Sequence, residues 1–323
     1  MNKPITVAAA AAMLRQADRI LILMHHYPDG DTIGSGYALC RALQAMGKLA
    51  RTTCSDEIPQ KYSYMTADVE QPDFEPAFVA AVDVADPQLL GSRLQPLADK
   101  VDLCIDHHGS NKEYAQHLLL DADSAATAML IAQVIDEMGV PLDQGMAECL
   151  YTGIATDTGC FKYANTDAAA HRAAARMIEK GARTEMINRE MFDIKSRARV
   201  ELERLALDSM EFHCRGRVAF MTITNHMAAV SGAVENDMEG LAPIPRQIEG
   251  VWVGVTLRQK ADGSFKVSVR TGTHADASAI CAKLGGGGHM RAAGCSPQGD
   301  EAAVTGQLLS VIRETVPHID EAN

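Results

Sequence analysis

Three apolar runs of strand length each deliver the chain to a carboxylate or an imidazole. Arg19-Ile-Leu-Ile-Leu-Met24 leads into His25-His26-Tyr27-Pro28-Asp29-Gly30-Asp31, Phe78-Val-Ala-Ala-Val leads into Asp83, and Val101-Asp-Leu-Cys-Ile105 leads into Asp106-His107-His108-Gly109-Ser110-Asn111. Buried strands that stop at polar side chains are the mark of an open parallel sheet, which presents its chemistry outside the carboxyl ends of its strands. Helical patterns at Tyr37–Met46, Ser124–Gly139 and Asp167–Gly181, with a further strand at Lys48–Thr53, alternate with these runs. The alternation predicts an α/β fold over residues 1–187, a parallel sheet covered by helices on both faces.

Each polar exit has an ordinary reading beside the chemical one. Asp-His-His at 106–108 is either a metal or catalytic site or a strand exit turned to water, and the Pro-Asp-Gly-Asp stretch is either a pair of convergent carboxylates or a turn. Asp83 is a cap or a ligand. A fourth feature, Thr156-Asp157-Thr158-Gly159 after the apolar run Ala147–Ile154, is a ligand site or a capped helix C-terminus. His171, in the last helical pattern, reads as a surface or half-buried residue.

Composition limits the function classes. With 323 residues, 47% hydrophobic and 22% charged, the chain is large enough for two domains. Its eight cysteines are scattered, form no C-x-x-C pair and mostly sit inside apolar runs, as reduced core residues of an intracellular, cytoplasmic protein do. Lys3 and the alanine-rich stretch to Leu14 read as a first amphipathic helix rather than an export signal, since Arg15 and Asp18 continue the register. No segment approaches the ~18 uninterrupted apolar residues of a membrane span. A formal charge of −12 and no basic stripe argue against tracking long duplex nucleic acid but leave a small anionic ligand open, because clustered aspartates are offset by bound cations.

Residues 188–212 carry mixed charges without loop punctuation and predict a helical connector. From 213 to 323 the texture becomes short strands, at Val218–Ile223, Val251–Leu257 and Phe265–Arg270, with a turn at Ala261–Ser264, then a helix over Asp276–Leu284. Gly285-Gly-Gly-Gly-His289-Met-Arg291 follows, and by preference it is neither helix nor strand. It is a loop whose bare backbone approaches an anion, or a flexible linker.

Taken together, His25, Asp29, Asp31, Asp83, His107 and Asp157 suffice for two adjacent divalent cations with one carboxylate bridging, and hard oxygen mixed with imidazole suits Mn²⁺. Two such ions hold a hydroxide and clamp the oxygens of an in-line phosphoryl displacement.

The order His-x-x-Pro-Asp-Gly-Asp at 25–31, Asp83, Asp106-His107-His108, Gly153-Ile-Ala-Thr-Asp157-Thr-Gly and Gly-Gly-Gly-His-x-x-Ala-Ala-Gly at 286–294 resembles the DHH/DHHA1 phosphoesterase family. The likeness is to its short stand-alone nanoRNase and phosphoadenosine-phosphate phosphatase branch. The resemblance implies a DHH catalytic domain, a helical linker and a smaller α/β DHHA1 domain, with the active site in the cleft between them. It places one cation on His25, Asp29 and Asp83, and the other on Asp31, Asp83, His107 and Asp157. Mn²⁺ is the expected ion, with Mg²⁺ or Co²⁺ as alternatives. His108 would face the substrate phosphate, Asp106 would orient an imidazole, and Arg270, Gly286, Gly287, Gly288 and His289 would contact the substrate. Gly109-Ser110 departs from the residues that relatives often carry there, which touches substrate contacts and no cation ligand.

The implied activity is hydrolysis of short oligoribonucleotides, and of dinucleotides such as pApA, to mononucleotides, with 3′-phosphoadenosine 5′-phosphate (pAp) going to AMP as a further reaction. A phosphodiesterase dedicated to cyclic dinucleotides or pApA is the alternative within the fold; a non-catalytic nucleotide-binding regulator is the alternative of another class. A homodimer is compatible with all three.

Overall fold

A computed structural model describes residues 3–238 and 240–321. Two compact units, Met1–Ile194 and Lys195–Asn323, each have a sheet and cores of their own.

In the first unit the order is β1 (Lys3–Pro4), α1 (Val7–Gln16), β2 (Ile20–Leu23), α2 (Gly30–Ala45), β3 (Ala50–Thr53), β4 (Phe78–Val82), β5 (Leu103–Asp106), β6 (His117–Leu120), α3 (Thr127–Met138), α4 (Gln144–Asp157) and α5 (Ala168–Glu179). The sheet runs β1-β6-β5-β4-β2-β3, and every pairing in it is parallel. Alternation along each strand sends its side chains to opposite faces. Ile20, Ile22, Ala80, Val82, Leu103 and Ile105 join the large core with the α-helices, whereas Leu21, Leu23, Val79, Ala81 and Cys104 meet Leu90, Leu94 and Ala98 from short helical turns. Both faces are therefore covered, as the near-continuous apolar runs require.

Helix α2 begins well before the expected Tyr37. Asp29 caps it, its Oδ1 accepting from the amides of Asp31 and Thr32, so Gly30 is helical rather than part of a turn. Gly30 and Gly34 instead allow close packing on α4: a Cβ at Gly30 would lie 2.4 Å from Thr156 Oγ1, and one at Gly34 2.3 Å from the Cys149 carbonyl oxygen.

The expected unbroken connector over 188–212 is interrupted. A helical turn at Thr184–Asn188 and a π-turn at Arg189–Asp193 end at extended Ile194, and α6 (Arg197–Asp208) starts afresh with Ser196 as its cap. Leu202 and Ala206 of α6 pack on Met221, Ile223 and Leu241, so this helix belongs to the core of the second unit.

The second unit continues with β7 (Glu211–His213), β8 (Val218–Ile223), α7 (Asn225–Ser231), β9 (Val253–Gln259), β10 (Phe265–Thr271), α8 (Ala277–Ala282), β11 (Gly287–His289), β12 (Ala292–Cys295) and α9 (Glu301–Thr315). Its sheet runs β11-β12-β10-β9-β8-β7, with only β8 and β9 parallel. The glycine run, expected as a loop, is one arm of the β11–β12 hairpin. The bare backbone is needed there: a Cβ at Gly286 would lie 2.1 Å from the Gly294 carbonyl oxygen, and Gly288 has a φ of +145°. All eight cysteines are free thiols, seven of them buried. Among the described residues no helix is long and apolar enough to cross a membrane.

Candidate metal centre

The first unit gathers its polar exits at the carboxyl ends of β2, β4 and β5 and at the facing ends of three helices. Asp83 follows β4 directly and is buried, with a φ of +59°. Aspartate tolerates this left-handed conformation at modest cost, and adopting it breaks the alternation of the strand. Its two oxygens serve different neighbours. Oδ2 lies 3.6 Å from His25 Nε2, while Oδ1 lies 3.9 Å from His107 Nε2 and 3.5 Å from His108 Nδ1. On the first side His25 Nε2 is also 3.6 Å from Asp29 Oδ1; on the second His107 Nε2 is 3.4 Å from Asp157 Oδ2.

Three sets of potential ligand atoms result, each within 4.8 Å of one another: His25, Asp29 and Asp83; Asp31, His107 and Asp157; and Asp83, His107 and His108. All six residues singled out as cation ligands are thus brought together. Asp157 closes helix α4, so the stretch Thr156–Gly159 is a helix C-terminus that also turns its carboxylate to the cluster. A short apolar run such as Ala147–Ile154 fits a buried strand and a buried helix equally, and here it is a helix surrounded by core.

The imidazoles are held in one tautomer. His25 Nδ1 meets the His26 carbonyl at 2.8 Å and His107 Nδ1 meets the Ser124 carbonyl at 3.0 Å, so each Nδ1–H donates outward from the cluster. The Nε2 atoms then face the carboxylates, the usual orientation of a metal-ligating histidine. His107 Nε2 is buried with no hydrogen-bond partner among the described residues. A buried acceptor left bare is rare in a folded protein and fits an absent cation. The N···O separations of 3.4–3.9 Å point the same way, being too long for hydrogen bonds although the groups converge.

The charge balance also calls for cations. Burial raises the Asp31 carboxyl well above its ordinary range, and Asp83, Asp157 and Asp29 reinforce this despite the Ala128 amide. Burial and the nearby Asp83 raise Asp157 to about 6, against the pull of His107. Burial would lower His25, but Asp29 and Asp83 override it and raise the imidazole to about 11. Protons thus stand in for positive charge that four clustered carboxylates demand.

Several supporting groups carried no signal in the sequence. The amides of Thr127 and Ala128, at the start of α3, donate to Asp31 Oδ2 and Oδ1 at 2.7 and 2.9 Å, and Thr127 Oγ1 donates to Asp83 Oδ1 at 2.8 Å. Asp106 is fully buried; its Oδ1 accepts from the amides of His107 and His108 and from His108 Nδ1 at 2.9 Å, and its Oδ2 accepts from Asn111 Nδ2 at 2.6 Å. Burial would raise this carboxyl, but the bonds from His108 and Asn111 keep it low. In return Asp106 raises His108 to about 9. With Nδ1 engaged, His108 keeps Nε2–H for another acceptor, on a side chain that is 46% exposed.

In the second unit Arg270 pairs across the sheet with Ala292, and Ala292 pairs with His289, so Arg270 and His289 project from one face. His171 is no part of the cluster and stacks on Phe161.

The fold and this cluster define an α/β enzyme with a centre able to hold cations. The profile of the DHH family, N-terminal domain, matches residues 19–154. A bifunctional oligoribonuclease and PAP phosphatase NrnA of Thermus thermophilus is 34% identical over 303 residues, covering 91% of this chain and 89% of that one. The protein of the same name in Bacillus subtilis is 24% identical over 285 residues, covering 86% and 89%. An exopolyphosphatase-related protein of Bacteroides fragilis shares the fold, with a TM-score of 0.86 at 22% identity over 98% of this chain and 97% of that one. The chain belongs to the DHH family of phosphoesterases.

Proposed function

We propose that the chain hydrolyses short oligoribonucleotides, dinucleotides such as pApA in particular, to mononucleotides, and converts pAp to AMP. In this reading two divalent cations, Mn²⁺ before Mg²⁺ or Co²⁺, bind to His25, Asp29 and Asp83 on one side and to Asp31, Asp83, His107 and Asp157 on the other. The observation that carries it is the division of the Asp83 carboxylate, with Oδ2 toward His25 and Oδ1 toward His107. The names of the Thermus and Bacillus relatives support the substrate class.

Bound cations would lower the pKa of water toward neutrality and neutralise phosphate oxygens. The chain supplies the rest. His25 and His107 have their Nε2 atoms aimed inward because backbone carbonyls engage Nδ1, and a bound cation would take the place of the proton that His25 carries there. His108, protonated at neutral pH against Asp106, offers Nε2–H to a phosphate or leaving-group oxygen. The second unit binds the nucleotide through Arg270, His289 and the backbone of Gly286, Gly287 and Gly288; the bidentate fork of arginine suits a phosphate. Buried free thiols suit a reducing cytoplasm.

The test is product chromatography after incubation with pApA, pAp and cyclic di-AMP in Mn²⁺, Mg²⁺ or Co²⁺. AMP release from pApA with Mn²⁺, lost in Asp83→Ala, is the expected result. No mononucleotide from any substrate, or equal rates in Asp83→Ala, would overturn the reading, and preferential turnover of cyclic di-AMP would move it to a dedicated cyclic-dinucleotide phosphodiesterase.

A further inference from the structure

A single row of positions runs straight across four strands of the second sheet. Gly254 in β9 lies opposite Arg270 in β10, Arg270 lies opposite Ala292 in β12, and Ala292 lies opposite His289 in β11. Directly opposed residues project from the same face. The adjoining positions, Val253, Val255, Val269 and Ala293, point into the core with α8 and α9, so the row lies on the opposite face, the one on which α6 covers Met221 and Ile223.

The residues on either side of Arg270 in this row are glycine and alanine, and the glycine makes room for another arginine. A Cβ at Gly254 would lie 2.5 Å from the backbone nitrogen of Arg246 and 2.9 Å from its Cα and Cβ, so the turn Ile244–Gln247 sits directly on that strand position. The Arg246 guanidinium reaches Gly272, two residues beyond Arg270: a Cβ there would meet its Nη2 at 2.7 Å, Nε at 3.1 Å and Cζ at 3.2 Å. Arg246 thus lies over the strand next to Arg270, one strand spacing of about 5 Å away, on the same face.

Arg246 Nε is buried with no partner, and among the described residues no carboxylate or carbonyl accepts from this guanidinium. The nearby carbonyl of Gly272 is taken by Arg291. A sheltered cationic donor without an acceptor is unfavourable unless a ligand supplies one. The fork geometry and charge select a phosphate monoester.

We propose that Arg246 grips a non-reacting phosphate of the bound nucleotide, beside Arg270, and so sets a preference for substrates that carry a terminal phosphate. This rests on the nucleotide-hydrolase reading, whose substrates pApA and pAp each carry such a second phosphate.

Calorimetric titration of the full chain with AMP and with adenosine, in cation-free buffer, separates binding from turnover. AMP is expected to bind the unaltered chain about tenfold or more tighter than adenosine, as a charge-assisted bond to phosphate implies. Arg246→Gln should erase most of that difference and leave adenosine binding unchanged. Gly272→Ala, which crowds the guanidinium without removing its charge, should weaken AMP by a smaller factor. In turnover of pApA, Arg246→Gln should raise KM with kcat held, a split that a merely structural role would not give. Equal AMP and adenosine affinities in the unaltered chain overturn the proposal, as does unaltered AMP binding by Arg246→Gln. If Arg246→Gln fails to fold, unaltered AMP binding by Gly272→Ala overturns it. Loss of hydrolysis on the substrate panel alongside an Arg246-dependent preference for AMP would overturn the hydrolase reading and leave this assignment standing.

Discussion

At the scale of single residues, Thr127 ties the two halves of the centre together. Its amide donates to Asp31 and its hydroxyl to Asp83, 96 and 44 residues away in sequence. Thr127→Val keeps the shape and the amide and removes only the hydroxyl. The Mn²⁺ concentration for half-maximal activity is expected to rise about tenfold or more, as when groups behind other metal ligands are removed. Titrating the rate with Mn²⁺ checks this; an unchanged midpoint would mean that Thr127 does not position Asp83. The proposed ligands are more legible in the sequence. Asp83 and His107 announce themselves because each ends a strand-length apolar run. Nothing local to a threonine at a helix start, or to Asn111 beneath Asp106, says which distant carboxylate it will meet.

At the scale of elements, the centre depends on how closely α2 packs on α4, because Asp31 lies on the first and Asp157 on the second. Gly34→Ala would place a methyl 2.3 Å from the Cys149 carbonyl oxygen, and backbone cannot swing aside as a side chain can. A loss of about 1–3 kcal/mol of stability is expected, together with weaker Mn²⁺ binding, measured by denaturant unfolding and by calorimetry. The other end of α4 is pinned by Glu148, buried and paired with exposed Arg183 and with Gln144. Burial would raise the Glu148 carboxyl, but these partners hold it below its ordinary 4.5. Its contribution to stability is therefore present above the unfolded-state value and lost as pH falls through the lower folded one. Glu148→Gln is expected to be less stable than the unaltered chain at pH 7, with the difference shrinking below about pH 4; a difference that is flat across thermal melts from pH 3 to 7 would count against the pair. Burial hides periodicity at Ala147–Ile154, where a helix surrounded by core has apolar residues on every side. The glycine run is a strand and not a loop because cross-strand pairing with β12 imposes that conformation on residues with no preference for it.

At the scale of the whole molecule, two units with separate sheets divide the chemistry: carboxylates and imidazoles gather in the first, and an arginine and histidine row lies in the second. The α/β order of the first unit could be read from its apolar runs, whereas the register that lines up Gly254, Arg270, Ala292 and His289 could not, since it depends on β12 pairing with β10 and on a hairpin formed by a glycine run with no strand preference. The charge of −12 takes on a local meaning, because part of it is concentrated in four aspartates, of which Asp29 and Asp83 raise His25 and, added to burial, raise Asp157. In the proposed centre Asp83 stands between two cation positions. Electron paramagnetic resonance of the chain titrated with Mn²⁺, read with the bound stoichiometry, tests it most directly. Two Mn²⁺ per chain with an exchange-coupled spectrum, and loss of that coupling in Asp83→Ala, is the result expected; one ion per chain, two uncoupled ions, or a coupled pair that survives Asp83→Ala would contradict it.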